Sequence, residues 1–222
     1  MAVWAGGIAL YKVGDALGSP MARTLLIDRG FDVVDVAWLL GTLGSVAGMV
    51  GALLGGLAAR RRRLAALVGC GLVHAGLMAA YGLPVALELG VDDARWLLGA
   101  LVVLEHVTGG MATVSLFTAM MDAALKETGA SDYTAQASVV VAASGVGSAM
   151  SGVVADGLGY GWHFLIAGVV CVIGSVAMIP LYRRGIAPSP GEVHAHPESE
   201  TADLPLSGPS DTDHRQRSSS VR

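Results

Sequence analysis

The sequence predicts an all-α integral membrane domain of six spans over residues 1–184, followed by a disordered cytoplasmic tail over 185–222. Three observations carry this reading. Hydrophobic residues make up 53% of the 222 residues and charged residues only 14%, against about 25% charge in an average soluble domain. The charges are unevenly placed, since residues 183–222 hold five of the 14 basic and six of the 18 acidic side chains. The runs before them reach the roughly 20 residues needed to cross about 30 Å of hydrocarbon. A soluble domain is excluded. A membrane β-barrel is excluded too, because no ten-residue alternating segments occur, whereas a helix satisfies its own backbone inside lipid. The net charge of −4 is set largely by loops and tail, and gives no reason to expect a nucleic-acid partner.

The spans follow in order. The first, 3–27, is the most polar: Lys12, Asp15, Ser19 and Arg23 lie on one stripe, and Pro20 is placed to kink the helix. The second, 34–59, is nearly all Leu, Gly, Ala and Val. Its Gly44, Gly48, Gly51 and Gly55 fall on one face, where missing side chains let another backbone approach. The third, 64–87, follows Arg60, Arg61, Arg62 and Arg63 and carries His74. The fourth, 95–124, is long and contains Glu105 and His106. The fifth, 133–154, has a small-residue face of Ser144, Ser148, Ser151 and Gly152. The sixth, 162–182, ends at Arg183 and Arg184. Both small faces read as bundle packing, or as surfaces on which helices rock.

Lys and Arg in the connections set the orientation. Arg60 to Arg63, Lys126, Arg183 and Arg184 gather on one side. Arg29 and Arg95 lie on the other, beside Asp28, Asp32, Asp35, Asp92 and Asp93. The basic side is expected to be cytoplasmic, with both termini inside, in a multi-pass protein of the inner membrane. The four arginines read as a topology signal, with anionic lipid contact accompanying it. Residues 1–11 lack a basic leader region and run straight into Lys12, so no cleaved signal peptide is expected. Cys70 and Cys171 lie inside apolar runs, where no disulfide framework is readable.

The intramembrane charges carry the chemistry. A charge at the bilayer centre costs about 2.5–3.5 kcal/mol even on the lenient insertion scale, so Lys12 and Asp15 must face protein or water. Three residues apart on a helix, they partly neutralise each other. Their stripe reads either as an internal salt bridge or as the lining of a polar cavity, and the second reading is preferred. Glu105 falls about ten residues into its span, near mid-membrane at about 1.5 Å per residue. His106 follows it, pointing about 100° away, and Gly109-Gly110 lies one turn on. Buried carboxylates and imidazoles are the material of proton relays, although a lone histidine such as His74 also reads as a hydrogen-bonded packing residue. No metalloprotease pattern, nucleophile elbow or P-loop occurs. Neither enzymatic activity nor a cofactor or metal is expected. His194-Ala195-His196 lacks a third ligand nearby.

Several motifs occur in an order that resembles the C-terminal half of a major facilitator superfamily permease. Leu10-Tyr11-Lys12-Val13-Gly14-Asp15 precedes Arg29-Gly30-Phe31. Gly51-Ala52-Leu53-Leu54-Gly55-Gly56 then precedes the basic loop, followed by Gly109-Gly110-Met111-Ala112-Thr113 and Tyr133-Thr134-Ala135-Gln136. The set is similar to the branch of AmpG-type muropeptide permeases and acetyl-CoA transporters. Glu105-His106 with Phe117-Thr118-Ala119-Met120-Met121-Asp122 is closer to siderophore permeases of the RhtX/FptX kind. The resemblance implies half of a twelve-helix fold and proton-driven import of a siderophore or muropeptide-like solute. Lys12, Asp15 and Glu105 are the leading candidates for the substrate or proton pathway, with Tyr11, Thr113 and His106 beside them. The partners implied are the lipid bilayer, a small-molecule substrate, protons, and a complementary six-helix half or a second copy. The alternative is a non-transporting half-permease or gene fragment acting as a membrane partner subunit.

The orientation yields a direct expectation. Single cysteines introduced at Asp93 and Glu192 should label oppositely with a membrane-impermeant reagent, position 93 from outside intact cells and position 192 only after lysis. Labelling of 192 from outside reverses the orientation.

Overall fold

The computed structural model describes residues 2–125 and 127–186, and no β-strand occurs among them. The expected tail beyond 186, Lys126, His194, His196 and the side chain of Asp92 lie outside the described residues. The helices are α1 (Ala2–Asp28), α2 (Val33–Val36), α3 (Gly44–Arg61), α4 (Arg63–Ala80), α5 (Leu83–Ala86), α6 (Val91–Ala123) and α7 (Gly129–Leu181). A π-helical stretch, Ala37–Leu43, joins α2 to α3 without a break. A second, Tyr182–Ile186, carries the chain past the expected start of the tail at 185.

Four stretches are long and apolar enough to cross a membrane: Val33–Arg61, Arg63–Ala86, Asp93–Ala123 and Gly129–Arg184. Two differences from the expected six have physical reasons. α1 is 27 residues long, yet Lys12, Asp15 and Arg23 dilute its hydropathy. Residues 133–154 and 162–182 were expected as two spans, and both fall within α7. At about 1.5 Å per residue its 53 residues would run to about 80 Å, far beyond one hydrocarbon layer. The helix breaks at Gly159, with φ 76° and ψ 165°, a conformation that glycine reaches without steric cost. The expected loop is thus a single-residue break between two helical arms.

The end of α1 is specified locally. Gly30, at φ 81°, follows the last turn; its N–H donates to Ile27 O at 2.9 Å and that of Phe31 to Leu26 O at 3.1 Å. This pair of bonds is a Schellman closure. Asp32 then caps α2 by accepting from Val33 N at 2.7 Å. Pro20 has no N–H, so the carbonyl of Ala16, one turn back, loses its helical donor. Ser148 of α7 donates to that carbonyl at 3.3 Å, and Ser151 donates to Leu17 O at 2.6 Å. Ser148 therefore supplies the donor that the proline removes, as neighbouring helices do inside membranes, and Ser151 adds a second bond on the next carbonyl.

Two apolar cores are stacked along the helices. Trp4, Ile8, Leu67, Leu116, Met120 and Met178 form one. Leu17, Leu25, Met78, Leu98, Leu101 and Phe164 form the other. Lys12 and Asp15 on α1, His74 on α4 and Glu105 on α6 fall between them in sequence on every helix concerned.

Close backbone approach holds the layers together. A Cβ on Gly55 would stand 2.6 Å from Met111 O, and one on Gly51 would run into the backbone of Val107. A Cβ on Gly44 would stand 2.6 Å from the ring of His106, whereas one on Gly48 would have room, with His106 O nearest at 3.7 Å. On α7, Gly147 would meet Val13 O at 2.8 Å, whereas Gly152 has open space. The α1-facing seam of this arm is thus Gly147, Ser148 and Ser151.

These distances separate neighbours on one face. Gly51→Leu should destabilise the folded chain by about 1–3 kcal/mol, the usual range for overpacking, while Gly48→Ala should leave the melting temperature in detergent nearly unchanged. Equal melting temperatures for Gly51→Leu and the parent would show that α3 does not pack on α6 in this register.

Candidate functional site

The polar layer between the two cores is a connected cluster. Lys12 Nζ donates to Asp15 Oδ2 at 2.5 Å and reaches Thr113 Oγ1 on α6 at 3.4 Å. One turn beyond, Ser19 Oγ lies 3.1 Å from Asp15 Oδ1. From α4, His74 Nε2 approaches the same Oδ1 at 3.2 Å, and its Nδ1 meets Thr108 Oγ1 of α6 at 3.3 Å. Side-chain ligand atoms of Asp15, His74 and Glu105 all lie within 4.8 Å of one another. Glu105 Oε2 is 2.8 Å from His106 Nδ1, which also donates to Val102 O at 2.8 Å. Adjacent residues on α6 thus share a contact despite their angular separation, because the Glu105 side chain is long enough to bring its carboxylate to His106 Nδ1.

Two spaces meet at this cluster. A nearly filled pocket of about 10 Å³ is lined by Tyr11, Lys12, Asp15, His74, Thr113 and Cys171, among others; it holds at most one water. A separate open cleft of about 430 Å³ is lined by Ser19, Pro20, Arg23, Leu40, Glu105 and His106. Glu105 is the link, lining the cleft while its carboxylate stands beside the groups of the dry pocket. It is 8% exposed, so its charge is largely withheld from solvent.

The sequence-derived candidates are distributed as follows. Lys12, Asp15 and Thr113 meet directly, and Glu105 and His106 meet on the cleft side. Tyr11 also lines the small pocket, with its hydroxyl committed to Leu67 O at 3.0 Å. Arg23, on the same stripe as Lys12, is exposed and borders the cleft. His74 and Thr108 were not in the candidate set. Their spacing on separate helices carries no local signal; depth was the one available clue, since both fall at the level of Asp15 and Glu105. Among the described residues, Asp15, His74 and Glu105 are the one group with metal-type donors this close. Lys12 already occupies the position of a counter-cation, so the donor set does not fit a resident metal ion.

Polar contacts also close the two ends. At the arginine-rich end, Arg63 in the first turn of α4 pairs with Asp122 at the end of α6, so this arginine is more than a topology signal. Trp4 Nε1 donates to Gln136 Oε1 at 2.7 Å, and Gln136 Nε2 donates to Met120 O at 3.1 Å, joining α1, α6 and α7. At the opposite end, Tyr160 donates to Asp28 Oδ2 at 2.5 Å, and Arg95 to Asp35 Oδ2 at 3.1 Å.

Long apolar helices packed around an internal charge cluster mark the chain as an integral membrane protein. The chain is 31% identical over 183 residues to the anhydromuropeptide permease of Escherichia coli strain K12, a match covering 80% of this chain and 35% of that protein. The anhydromuropeptide permease of Escherichia coli O157:H7 matches to the same extent. No protein-family model matches the chain. The resemblance carried by the motifs agrees with these two relatives, which are named as permeases and not as enzymes. The chain spans about a third of the length of the curated relatives it matches.

The cluster makes a specific demand on stability. Asp15→Asn leaves Lys12 without its carboxylate and should cost about 1.5–3 kcal/mol, the usual worth of a hydrogen bond to a charged group. Adding Lys12→Met to Asp15→Asn should recover part of that loss, since the stranded charge is then removed. Thermal unfolding of the single and double variants in detergent measures this; equal losses would mean the pair is not energetically coupled.

Proposed function

We propose that the chain makes six membrane crossings and works as one half of a major facilitator-type secondary transporter, driven by the proton gradient. In this reading the two arms of α7 are separate crossings, α1 is a crossing whose charges are sheltered by its neighbours, and the arginine-rich end faces the cytoplasm of the inner membrane. A complementary set of six helices, from another polypeptide, from a longer chain or from a second copy, closes the cleft. Inverted or parallel helical repeats that enclose one midplane site work this way. The substrate class is a muropeptide-like solute, which the name of the relatives favours over a siderophore.

The observation that carries the proposal is the position of Glu105 at the boundary between a dry, charged pocket and an open cleft. A carboxyl there feels two environments. Desolvation favours its protonated form and a neighbouring cation its charged form. Rocking of α1 against α6 would alternate the two and let the carboxyl take a proton from one side and release it to the other. Lys12, paired with Asp15, supplies the fixed positive charge of that cycle, with Tyr11, Thr113 and His106 lining it. Gly44, Gly48, Gly51 and Gly55 form the close-packed seam on α6 that keeps the moving half rigid.

Glu105→Gln in the complete, active permease should abolish accumulation against a gradient and leave downhill exchange intact, because glutamine keeps shape and hydrogen bonding while losing titration. Uptake of labelled anhydromuropeptide with and without a protonophore, compared with counterflow in vesicles, reads both. A Glu105→Gln permease that still concentrates substrate in a protonophore-sensitive way removes Glu105 from coupling. Wild-type uptake indifferent to the protonophore removes proton drive altogether.

A further inference from the structure

We propose that His74 and Asp15 hold one proton more than a neutral imidazole and a carboxylate carry between them, and that Thr108 is the positioning residue that keeps it there. Its relevance to transport rests on the reading above; its existence rests on hydrogen-bond stereochemistry.

The Thr108 hydroxyl has one hydrogen and two lone pairs. Its oxygen lies 3.0 Å from Leu104 O and 3.1 Å from Glu105 O, both of which only accept. The hydrogen goes to these nearer carbonyls, the usual arrangement for a threonine inside a helix. What Thr108 offers His74 Nδ1 at 3.3 Å is therefore a lone pair, and Nδ1 must carry a hydrogen. A neutral imidazole has a single N–H, so Nε2 would then face Asp15 Oδ1 at 3.2 Å lone pair to lone pair. Lys12 serves the other carboxylate oxygen, Oδ2. One additional proton, on Nε2 or on Oδ1, resolves the contact.

The charged groups facing His74 come from two helices. α1 contributes Lys12 and Asp15, and α6 contributes Glu105, with a carboxylate oxygen inside the 4.8 Å group. The Tyr11 phenol and the Cys171 thiol line the same pocket. Lys12 compensates Asp15 inside the small pocket, whereas the second carboxylate, Glu105, lines the open cleft and stands 2.8 Å from His106 Nδ1. His106 turns its Nδ1–H toward both Val102 O and Glu105, so the stereochemistry at His74 carries the assignment. The site binds a proton, and separation of α1 from α4 would release it.

The test uses the full chain, labelled with ring nitrogen-15 histidine, in lipid vesicles at neutral pH, with the His74 signals assigned by difference against His74→Gln. Two protonated ring nitrogens support the proposal. So does Nδ1–H alone together with a protonated-carboxyl infrared band that disappears in Asp15→Asn. Thr108→Val should lose one proton and turn His74 into the neutral Nε2–H form, while Thr108→Ser retains the proton. A wild-type His74 that is neutral, with hydrogen on Nε2 and a bare Nδ1, overturns the proposal. Retention of the proton in Thr108→Val overturns the role of Thr108. Uptake by the complete permease separates this from the transporter reading. Protonophore-insensitive uptake with the proton present sinks coupling and spares the site. Protonophore-sensitive uptake with a neutral Nε2–H ring sinks the site and spares coupling.

Discussion

The ion pair of Lys12 and Asp15 is the constraint around which the fold is arranged. Two charges midway along a helix and flanked by apolar cores are costly to bury unpaired, and α1 is covered by other elements along its length. α4 supplies His74 to Asp15, α6 supplies Thr113 to Lys12, and both arms of α7 pack on the remaining faces. The apolar cores on either side then isolate the pair from both ends of the bundle. Polar contact and apolar packing are complementary here: the cores exclude water, which strengthens every interaction in the layer between them.

Close helix approach makes that enclosure possible. Inside lipid no hydrophobic force drives helices together, and association depends on van der Waals fit between small-residue faces. α1 is sealed in this way, with Gly14 against the backbone of Cys171 and Gly174 against that of Tyr11. The same tightness imposes a cost at Pro20, whose missing N–H would otherwise strand a carbonyl. Ser148, next to the close approach at Gly147, meets that cost by donating to Ala16 O, and Ser151 bonds the following carbonyl. Glycine for proximity and serine for repair are thus two parts of one helix contact.

The cluster differs from an ordinary structural salt bridge in its position. A purely structural pair would be closed on all sides, whereas here Glu105 and His106 open onto a cleft that also receives Ser19 and Arg23. The π-helical stretch before α3 contributes Leu40 to the same cleft. Such departures from regular helix are frequent at functional sites. The arrangement gives the charge layer one sealed face and one accessible face.

The sequence by itself determined the membrane class, the polar stripe of α1, the glycine face of α3 and the place of Glu105 midway along a long apolar helix. Each depends on composition or on helical period, which are local properties of the chain. It also placed Lys12, Asp15 and Glu105 as candidates, because charge inside an apolar helix is costly wherever it occurs, with Tyr11, Thr113 and His106 set beside them. Tertiary structure alone decided which of these meet. His74 joins Asp15 across 59 positions and Ser151 joins Leu17 across 134, and no periodicity in one helix records the rotation of another. The break at Gly159 escaped the sequence for a related reason. Its flanking residues are equally compatible with a loop or a helix, and only the packing of both arms against α1 selects a single glycine as the place where the chain turns.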